Sequence, residues 1–190
     1  MTGISDPATE LSAKRLGVLK EAVPNVTRVA VIWNANDRAM TLRKGEVEKA
    51  ARALNMTVEP LSVRGPDDID AALSKMARER PDAVFVVSDA LTNINRKRIL
   101  EFAATNHVPA MYEFGFYVQD GGLMSYGPNI DDMWQRAALY VDKIFKGSKP
   151  GELPVEQPTR YYLFVNLKTA KTLNLTIPQP VLLRADEVIQ

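Results

Sequence analysis

The chain has 190 residues, of which 24 are basic and 23 acidic, so its formal net charge is +1. This length can bury a substantial core, and the near-neutral charge gives no indication of a nucleic-acid surface. The sequence has no cysteine, which excludes disulfides, thiolate nucleophiles and zinc–thiolate sites. No apolar run approaches the roughly 18 residues that a membrane span needs, and residues 1–10 lack the basic and apolar parts of a signal peptide.

The first half of the chain alternates strand and helix patterns. Arg28 to Trp33 is a continuous apolar run, typical of a strand that is buried on both faces of a parallel sheet. Thr57 to Val63 is predicted as an edge strand, because Pro60 cannot donate a hydrogen bond to a neighbouring strand. Ala83 to Val87 is the most hydrophobic strand and is predicted to be central. Helix patterns lie between these strands, which indicates crossover connections.

After a predicted helix over residues 92–106 comes the stretch VPAMYEFGFYVQDGGLMSYG, from Val108 to Gly127. It predicts a short strand from Pro109 to Glu113, an aromatic-rich loop over 114–120 and a second strand that ends at Tyr126. The whole alternation predicts an α/β fold, a flavodoxin-like doubly wound sheet of five parallel strands. Right-handed crossovers favour the strand order two-one-three-four-five.

The rest of the chain has a different character, and we divide it at the changes in composition. The flavodoxin-like α/β lobe is predicted over residues 6–127, an amphipathic helix over 128–147, a Pro-rich linker over 148–159, and a C-terminal strand, short helix and tail over 160–190. The helix, Asn129 to Phe145, carries an apolar stripe. We expect this stripe to require a partner surface and predict a homodimer or higher oligomer through it. The stripe comprises Trp134, Ala137, Val141, Ile144 and Phe145.

Polar and aromatic side chains follow the predicted strands at their carboxyl ends. In a parallel α/β sheet those ends meet at one edge, where ligands bind. Amides, carboxylates and aromatic rings together suit a small zwitterion, whose ammonium group the carboxylates would meet. The sequence therefore predicts a solute site at this edge, where the strand ends place Asn34, Asn36, Asp37, Ser88, Asp89, Thr92, Tyr112, Glu113, Tyr126 and Asn129.

Common catalytic and phosphate-binding motifs are absent: the sequence has no GxGxxG, GxxxxGK[ST], GxSxG or HExxH pattern. The single histidine, His107, lies at a helix end and favours a structural role. No cofactor and no metal are expected. Two alternatives stay open at this point. One is a receiver-like signalling domain with Asp89 as phosphoacceptor, which lacks the acidic pair needed to bind Mg²⁺. The other is a small-molecule enzyme that uses Asp89 and Glu113 as acid and base.

Several runs resemble a known family: TGIS, AKRLGVLKEAVPNVTRVAVIWNAN, VPAMYEF, GGLMSYG, LPVEQPT and NLKTAKTLNLTIPQPVLLRADEVI. They are similar to the C-terminal part of ABC transporter substrate-binding proteins of the family that includes tryptophan- and tyrosine-binding members. The resemblance implies the type I periplasmic binding protein fold, in which two flavodoxin-like lobes close on a ligand and dock on an ABC permease. It covers nearly the whole chain.

On this resemblance we expect a second lobe that is truncated at the N-terminus, without the export signal and the front part of the first lobe. It implies a periplasmic or extracytoplasmic protein that binds an amino acid or similar solute, weakly or vestigially, and is not an enzyme. The resemblance implies that the second lobe's contribution to the cleft comes from six candidate ligand-binding residues: Asn34, Asn36, Asp89, Tyr112, Glu113 and Tyr126. Among these, Asp89 lies in SDALT, the loosest of the matching segments.

Overall fold

The computed structural model describes residues 2–190 as a mixed α/β protein. In chain order its elements are β1 (Gly3–Ile4), α1 (Ala8–Ala22), β2 (Arg28–Asn34), α2 (Arg38–Ala53), β3 (Thr57–Val63), α3 (Pro66–Glu79), β4 (Ala83–Val86), α4 (Ala90–Ile94), α5 (Arg96–Thr105), β5 (Ala110–Tyr112), α6 (Gly115–Gln119), β6 (Met124–Gly127), α7 (Ile130–Phe145), a 3-10 turn (Pro150–Glu152), β7 (Val155–Glu156), β8 (Tyr162–Asn166), α8 (Leu167–Thr172), α9 (Gln179–Leu182) and β9 (Glu187–Ile189).

The central sheet has seven strands in the order β3-β2-β4-β5-β6-β8-β9. Its first five strands are parallel and have the predicted order, which confirms the doubly wound fold. The edge position of β3, with Pro60, and the internal position of β4 are confirmed as well. The sheet extends beyond the five predicted parallel strands, because β8 pairs antiparallel with β6 and β9 pairs parallel with β8. Residues 160–190 therefore contribute two strands to the same sheet.

Side chains alternate across β2, and this builds one core on each face of the sheet. Val29, Val31 and Trp33 point to the face that α1 and α2 cover. Ala30 and Ile32 point to the opposite face, where they pack with residues of α3 and α5. Both faces of the strand are thus buried, which explains its uninterrupted apolar sequence.

Two predicted elements differ locally from the structure. Residues 115–119, predicted as part of a loop, form the short helix α6, which packs against β6 and β8. The single helix predicted over 92–106 is two helices, because Asn95 ends α4 and precedes α5 with a non-helical ψ of 9°. The side chain of Asn95 donates a hydrogen bond to the Leu91 carbonyl and satisfies an acceptor at that break.

The predicted amphipathic helix forms as α7, with the Asn129 side chain as its N-cap. It lies beside a separate two-stranded sheet of β1 and β7, in which Gly3 pairs with Val155. The predicted linker 148–159 thus includes a strand. None of the helices among residues 2–190 is both long and apolar enough to cross a membrane.

Candidate functional site

Asn34 and Asp89 meet at the carboxyl edge of the sheet, after β2 and β4. Asn34 donates a hydrogen bond from Nδ2 to Asp89 Oδ2 at 2.6 Å, and its Oδ1 accepts one from the Asn36 N–H at 2.9 Å. Asn36 is exposed, whereas Asn34 and Asp89 are half-buried. The structure therefore brings three of the predicted site residues together in one accessible hydrogen-bonded group.

The Asp89 carboxylate accepts hydrogen bonds only from neutral donors within the described part of the chain. Besides Asn34, these donors are the N–H and hydroxyl of Thr92, which bond Oδ1 at 2.9 and 3.1 Å. Asp89 is the N-cap of α4, and the Thr92 hydroxyl completes the capping box by accepting from the Asp89 N–H. Its negative charge is thus oriented by the fold without a cationic partner.

Glu113 is in a different environment, since its side chain is completely buried. One carboxylate oxygen lies 3.3 Å from Nη1 of Arg15, and the other lies 3.0 Å from Nη1 of Arg43. Burial raises the pKa of Glu113 against the lowering effect of both guanidinium groups. The structure thus does not place Glu113 at the surface of the edge, where the sequence predicted a contact with solute.

Arg15 is the residue that the sequence reasoning missed, and its side chain is also fully buried. It donates from Nε to the Tyr126 carbonyl at 2.6 Å and from Nη1 to the Ala8 carbonyl at 2.9 Å. Burial lowers the pKa of its guanidinium group. The only signal in the sequence is the helical spacing of Ser12, Arg15 and Leu19, which places a charge on the buried face of α1.

Tyr112 points into the core, where its side chain has no solvent exposure. Its ring stacks on that of Tyr117, with centroids 4.6 Å apart. Burial raises the pKa of Tyr112, and it raises the pKa of Tyr117 to about 12. The Tyr117 hydroxyl donates to Asn93 Oδ1 at 2.8 Å. Tyr112 is therefore placed away from the accessible edge for which it was predicted.

Two further aromatic rings, one on β6 and one on α6, are half-buried. Tyr126, next to last in β6, is half-buried, with its ring centroid 6.2 Å from that of Tyr161. Phe116 on α6 is half-buried too, and the Arg96 guanidinium carbon lies 5.7 Å from its centroid. Tyr126 is thus partly accessible, whereas the Phe116 ring already stacks against those of Phe114 and Tyr117, with centroids 5.6 and 4.9 Å away.

The described residues offer little for the two alternative functions. Among residues 2–190 no group of three or more His, Cys, Asp or Glu residues is arranged to hold a metal ion. A receiver-like site would need such acidic ligands for Mg²⁺. An acid–base pair of Asp89 and Glu113 would need both carboxyl groups to reach a substrate, and Glu113 is enclosed between two arginines.

Comparison with known proteins gives one family and a set of similar structures. The sequence model of a family described as ABC transporter substrate binding protein matches residues 1–189. No curated protein matches the sequence significantly. The chain is similar to a Streptococcus pneumonia ABC domain in complex with L-Trp, with 23% identity and a TM-score of 0.86 over 99% of this chain and 64% of that one.

Two further structures are similar over nearly the whole chain. One is a conserved domain protein from Vibrio cholerae, with 25% identity and a TM-score of 0.87 over 98% of this chain and 62% of that one. The other is a ligand-free, open substrate binding protein with adhesive properties from Clostridium difficile, with 19% identity and a TM-score of 0.71 over 100% and 62%. The chain thus spans less than two thirds of the length of each of these three structures.

Proposed function

This chain belongs to the family of ABC transporter substrate binding proteins, and from that premise we propose that it binds an amino acid or a similar small zwitterion for an ABC importer. Proteins of this family bind solutes and are typically periplasmic or extracytoplasmic. Our proposal places this chain there too, as a binding protein without enzymatic activity that delivers its solute to an ABC permease. The observation that carries the choice of solute is the Asp89 carboxylate, which is partly accessible at the sheet edge and, among residues 2–190, accepts hydrogen bonds only from neutral donors.

The charges of the two candidate acids support an ammonium ligand at Asp89. The negative charge of Glu113 is compensated by Arg15 and Arg43. Asp89 has only an amide, an N–H and a hydroxyl around it, so its carboxylate keeps an unused capacity to accept a charged hydrogen bond. We therefore propose that Asp89 meets the ammonium group of the solute and that Asn34 fixes the orientation of this carboxylate.

An aromatic side chain is the first class of solute to test. The half-buried ring of Tyr126 offers a face on which an aromatic ring could stack, and the similar Streptococcus structure is a complex with L-Trp. We propose weak affinity for the isolated chain. The Asn34–Asp89 group remains partly exposed, whereas ligand sites normally bury most of the ligand surface.

The test is calorimetry or ligand-observed NMR on the 190-residue chain with L-tryptophan, tryptamine and indole-3-propionate. Tryptamine keeps the ammonium group and should bind, whereas indole-3-propionate lacks it and should bind much more weakly. Asp89→Asn preserves the N-cap, since Asn caps helices as well as Asp does. It should weaken tryptophan binding about tenfold or more through loss of the charge–charge contact.

The matched control is Asp37→Asn. Asp37 is the N-cap of α2 and follows β2 at the same edge, so this variant removes a nearby charge without removing the proposed contact. It should leave affinity within about twofold of the wild type. Equal binding by wild type and Asp89→Asn would overturn the role of Asp89. Absence of saturable binding across a panel of amino acids would overturn solute binding by this chain.

A further inference from the structure

An arginine without a charged partner lies at the carboxyl edge of the sheet, on the other side of β2 from Asp89. Arg64 is the first residue after β3, and it is exposed. Its main chain is fixed, because its carbonyl accepts a hydrogen bond from Asn36 Nδ2 at 3.2 Å and its N–H donates to Asp68 Oδ2 at 2.7 Å. Its guanidinium group has no hydrogen-bond or ion-pair partner among residues 2–190. The five N–H donors of this group are therefore available to a ligand.

The strand register places Arg64 and Asp89 at the same height on either side of β2. The pairing of β2 with β3 reaches Asn34, and the Ala35 N–H continues it by donating to the Val63 carbonyl at 2.8 Å. This register, continued by one residue, sets Arg64 beside Ala35. The register of β2 with β4, continued beyond its last pair, brings Asp89 beside Ala35 as well. The strand order β3-β2-β4 thus gives a positive group, a pair of amides and a negative group along one edge.

The spacing of these groups fits the two charges of an α-amino acid. In the sheet, β3 and β4 are two strand spacings apart, which is about 10 Å. A charge-assisted hydrogen bond of about 2.8 Å at each end leaves about 4 Å for the ligand itself. This is close to the separation between the ammonium and carboxylate groups on one α-carbon. The long Arg64 side chain covers the remaining difference by changing its rotamer.

We propose that Arg64 binds the carboxylate of the solute while Asp89 binds its ammonium group, so that the site selects α-amino acids over amines. This proposal rests on the function proposed above and adds a second charged contact to it. Arginine presents two parallel N–H groups to a carboxylate, and this geometry fixes the orientation of the bound group. Asn36 connects the two contacts, because its side chain bonds the Arg64 carbonyl and its N–H bonds Asn34.

Two other arginines near this edge are less suited to the carboxylate. Arg43 already lies between two carboxylates of this chain. Arg38 is exposed at the start of α2. Among residues 2–190, however, it has no hydrogen bond to the amides that connect Arg64 with Asp89. Arg38 therefore supplies a control with the same charge at the same edge.

The test compares L-tryptophan with tryptamine, which lacks the carboxylate, by calorimetry or ligand-observed NMR on the 190-residue chain near neutral pH. The wild type should bind L-tryptophan about tenfold more tightly than tryptamine, as one additional charge-assisted contact implies. Arg64→Gln should weaken L-tryptophan binding about tenfold and leave tryptamine binding within about twofold of the wild type, so that the two ligands bind alike. Arg64→Lys keeps the charge without the bidentate geometry and should retain part of the preference.

The matched control is Arg38→Gln, which removes the same charge from the same edge. It should leave the preference for L-tryptophan over tryptamine as it is in the wild type. Both arginines are exposed, so neither substitution should disturb the core, and thermal melts establish that both variants are folded.

Three results would overturn the role of Arg64. They are a preference for L-tryptophan that survives Arg64→Gln, equal binding of the two ligands by the wild type, and an equal loss of preference in Arg38→Gln, which would indicate a general effect of charge. In each case, tryptamine binding that Asp89→Asn weakens would leave the function proposed above intact. Absence of saturable binding of either ligand would overturn both proposals.

Discussion

Glu113, Arg15, Arg43 and Asp6 form a largely buried cluster whose formal charges cancel. Arg43 joins it through Glu113 at 3.0 Å and through Asp6 at 3.8 Å. Arg15 in addition donates to two backbone carbonyls, that of Ala8 in α1, before the five parallel strands, and that of Tyr126 in β6, the last of them. The cluster therefore fixes the two chain segments that lead to β1 and α7.

We predict that Glu113→Gln destabilises the fold by about 3 kcal/mol, because it leaves two guanidinium groups, one of them fully buried, facing the single carboxylate of Asp6. Urea unfolding measures the change. The control is Asp120→Asn, which removes the carboxylate of the exposed Arg96–Asp120 pair and should change stability by less than about 1 kcal/mol. If both variants lost the same small free energy of unfolding, the buried cluster would contribute no more to stability than the exposed ion pair.

The buried phenol of Tyr117 predicts a loss of stability in alkaline solution. Its pKa in the folded protein is about 12, whereas an unfolded tyrosine ionises near pH 10. The unfolded chain thus binds fewer protons between these values, so the free energy of unfolding falls as pH rises through this window.

The contribution of Tyr117 to this fall should be about 2 kcal/mol. Urea unfolding of the wild type and of Tyr117→Phe, at intervals from about pH 9 to pH 12, gives the free energy of unfolding of each protein. The difference between the two pH profiles isolates Tyr117, because the lysines titrate alike in both proteins. The variant should lose less stability on going to high pH. Parallel pH profiles of the two proteins would contradict the prediction.

At the scale of the elements, the end of β6 determines how the chain leaves the sheet towards α7. Gly127 packs against the backbone of Glu113, the residue that follows β5. A Cβ atom at position 127 would lie 2.1 Å from the Glu113 carbonyl oxygen and 3.4 Å from Arg15 Nη2. No side chain fits between these atoms without displacing backbone. The close approach of β6 to the Arg15–Glu113 pair therefore depends on glycine at this position.

Gly127→Ala should destabilise the protein by about 3 kcal/mol, since overpacking here moves backbone rather than a flexible side chain. Gly45 makes the matched comparison, because it lies inside α2 and a Cβ there would meet no atom within 4 Å. Gly45→Ala should stabilise by about 1 kcal/mol through helix propensity. Thermal melts show whether each variant is more or less stable than the wild type. A Gly127→Ala protein as stable as the wild type would disprove the steric argument.

At the scale of the whole molecule, the C-terminal residues complete the sheet and one of its cores. In β8, Leu163 and Val165 are buried and pair with Tyr126 and Met124 of β6. Further buried residues of this segment belong to the same core that covers the α1 and α2 face of the sheet: Ala170, Leu173, Ile177 and Val181. The segment thus packs as a structural part of the lobe.

A chain that ends at Thr159 should lose cooperative unfolding, because removal of β8 exposes β6 and forfeits about 2 kcal/mol for each large buried apolar side chain. A chain that lacks only residues 187–190 should retain a cooperative transition, since it loses just the short edge strand β9. Urea unfolding followed by circular dichroism compares the two. A sharp transition in the chain that ends at Thr159 would mean that residues 160–190 are an independent appendage.

The sequence by itself determined the family and the order of the first five strands. The family resemblance is confirmed over residues 1–189. The apolar run of β2, the central position of β4 and the edge position of Pro60 follow from patterns within a few neighbouring residues. Such patterns are readable because burial on one or two faces of an element imposes a local period.

The tertiary structure alone decided what the candidate site exposes. In a strand of three residues, such as β5, alternation is too short to fix which side chain turns inwards, so Tyr112 was predicted at the edge and lies in the core. Glu113 is neutralised by arginines of α1 and α2 that are distant in sequence, and Asp89 is not. Pairing between distant charges depends on where whole elements pack, and no local period encodes it.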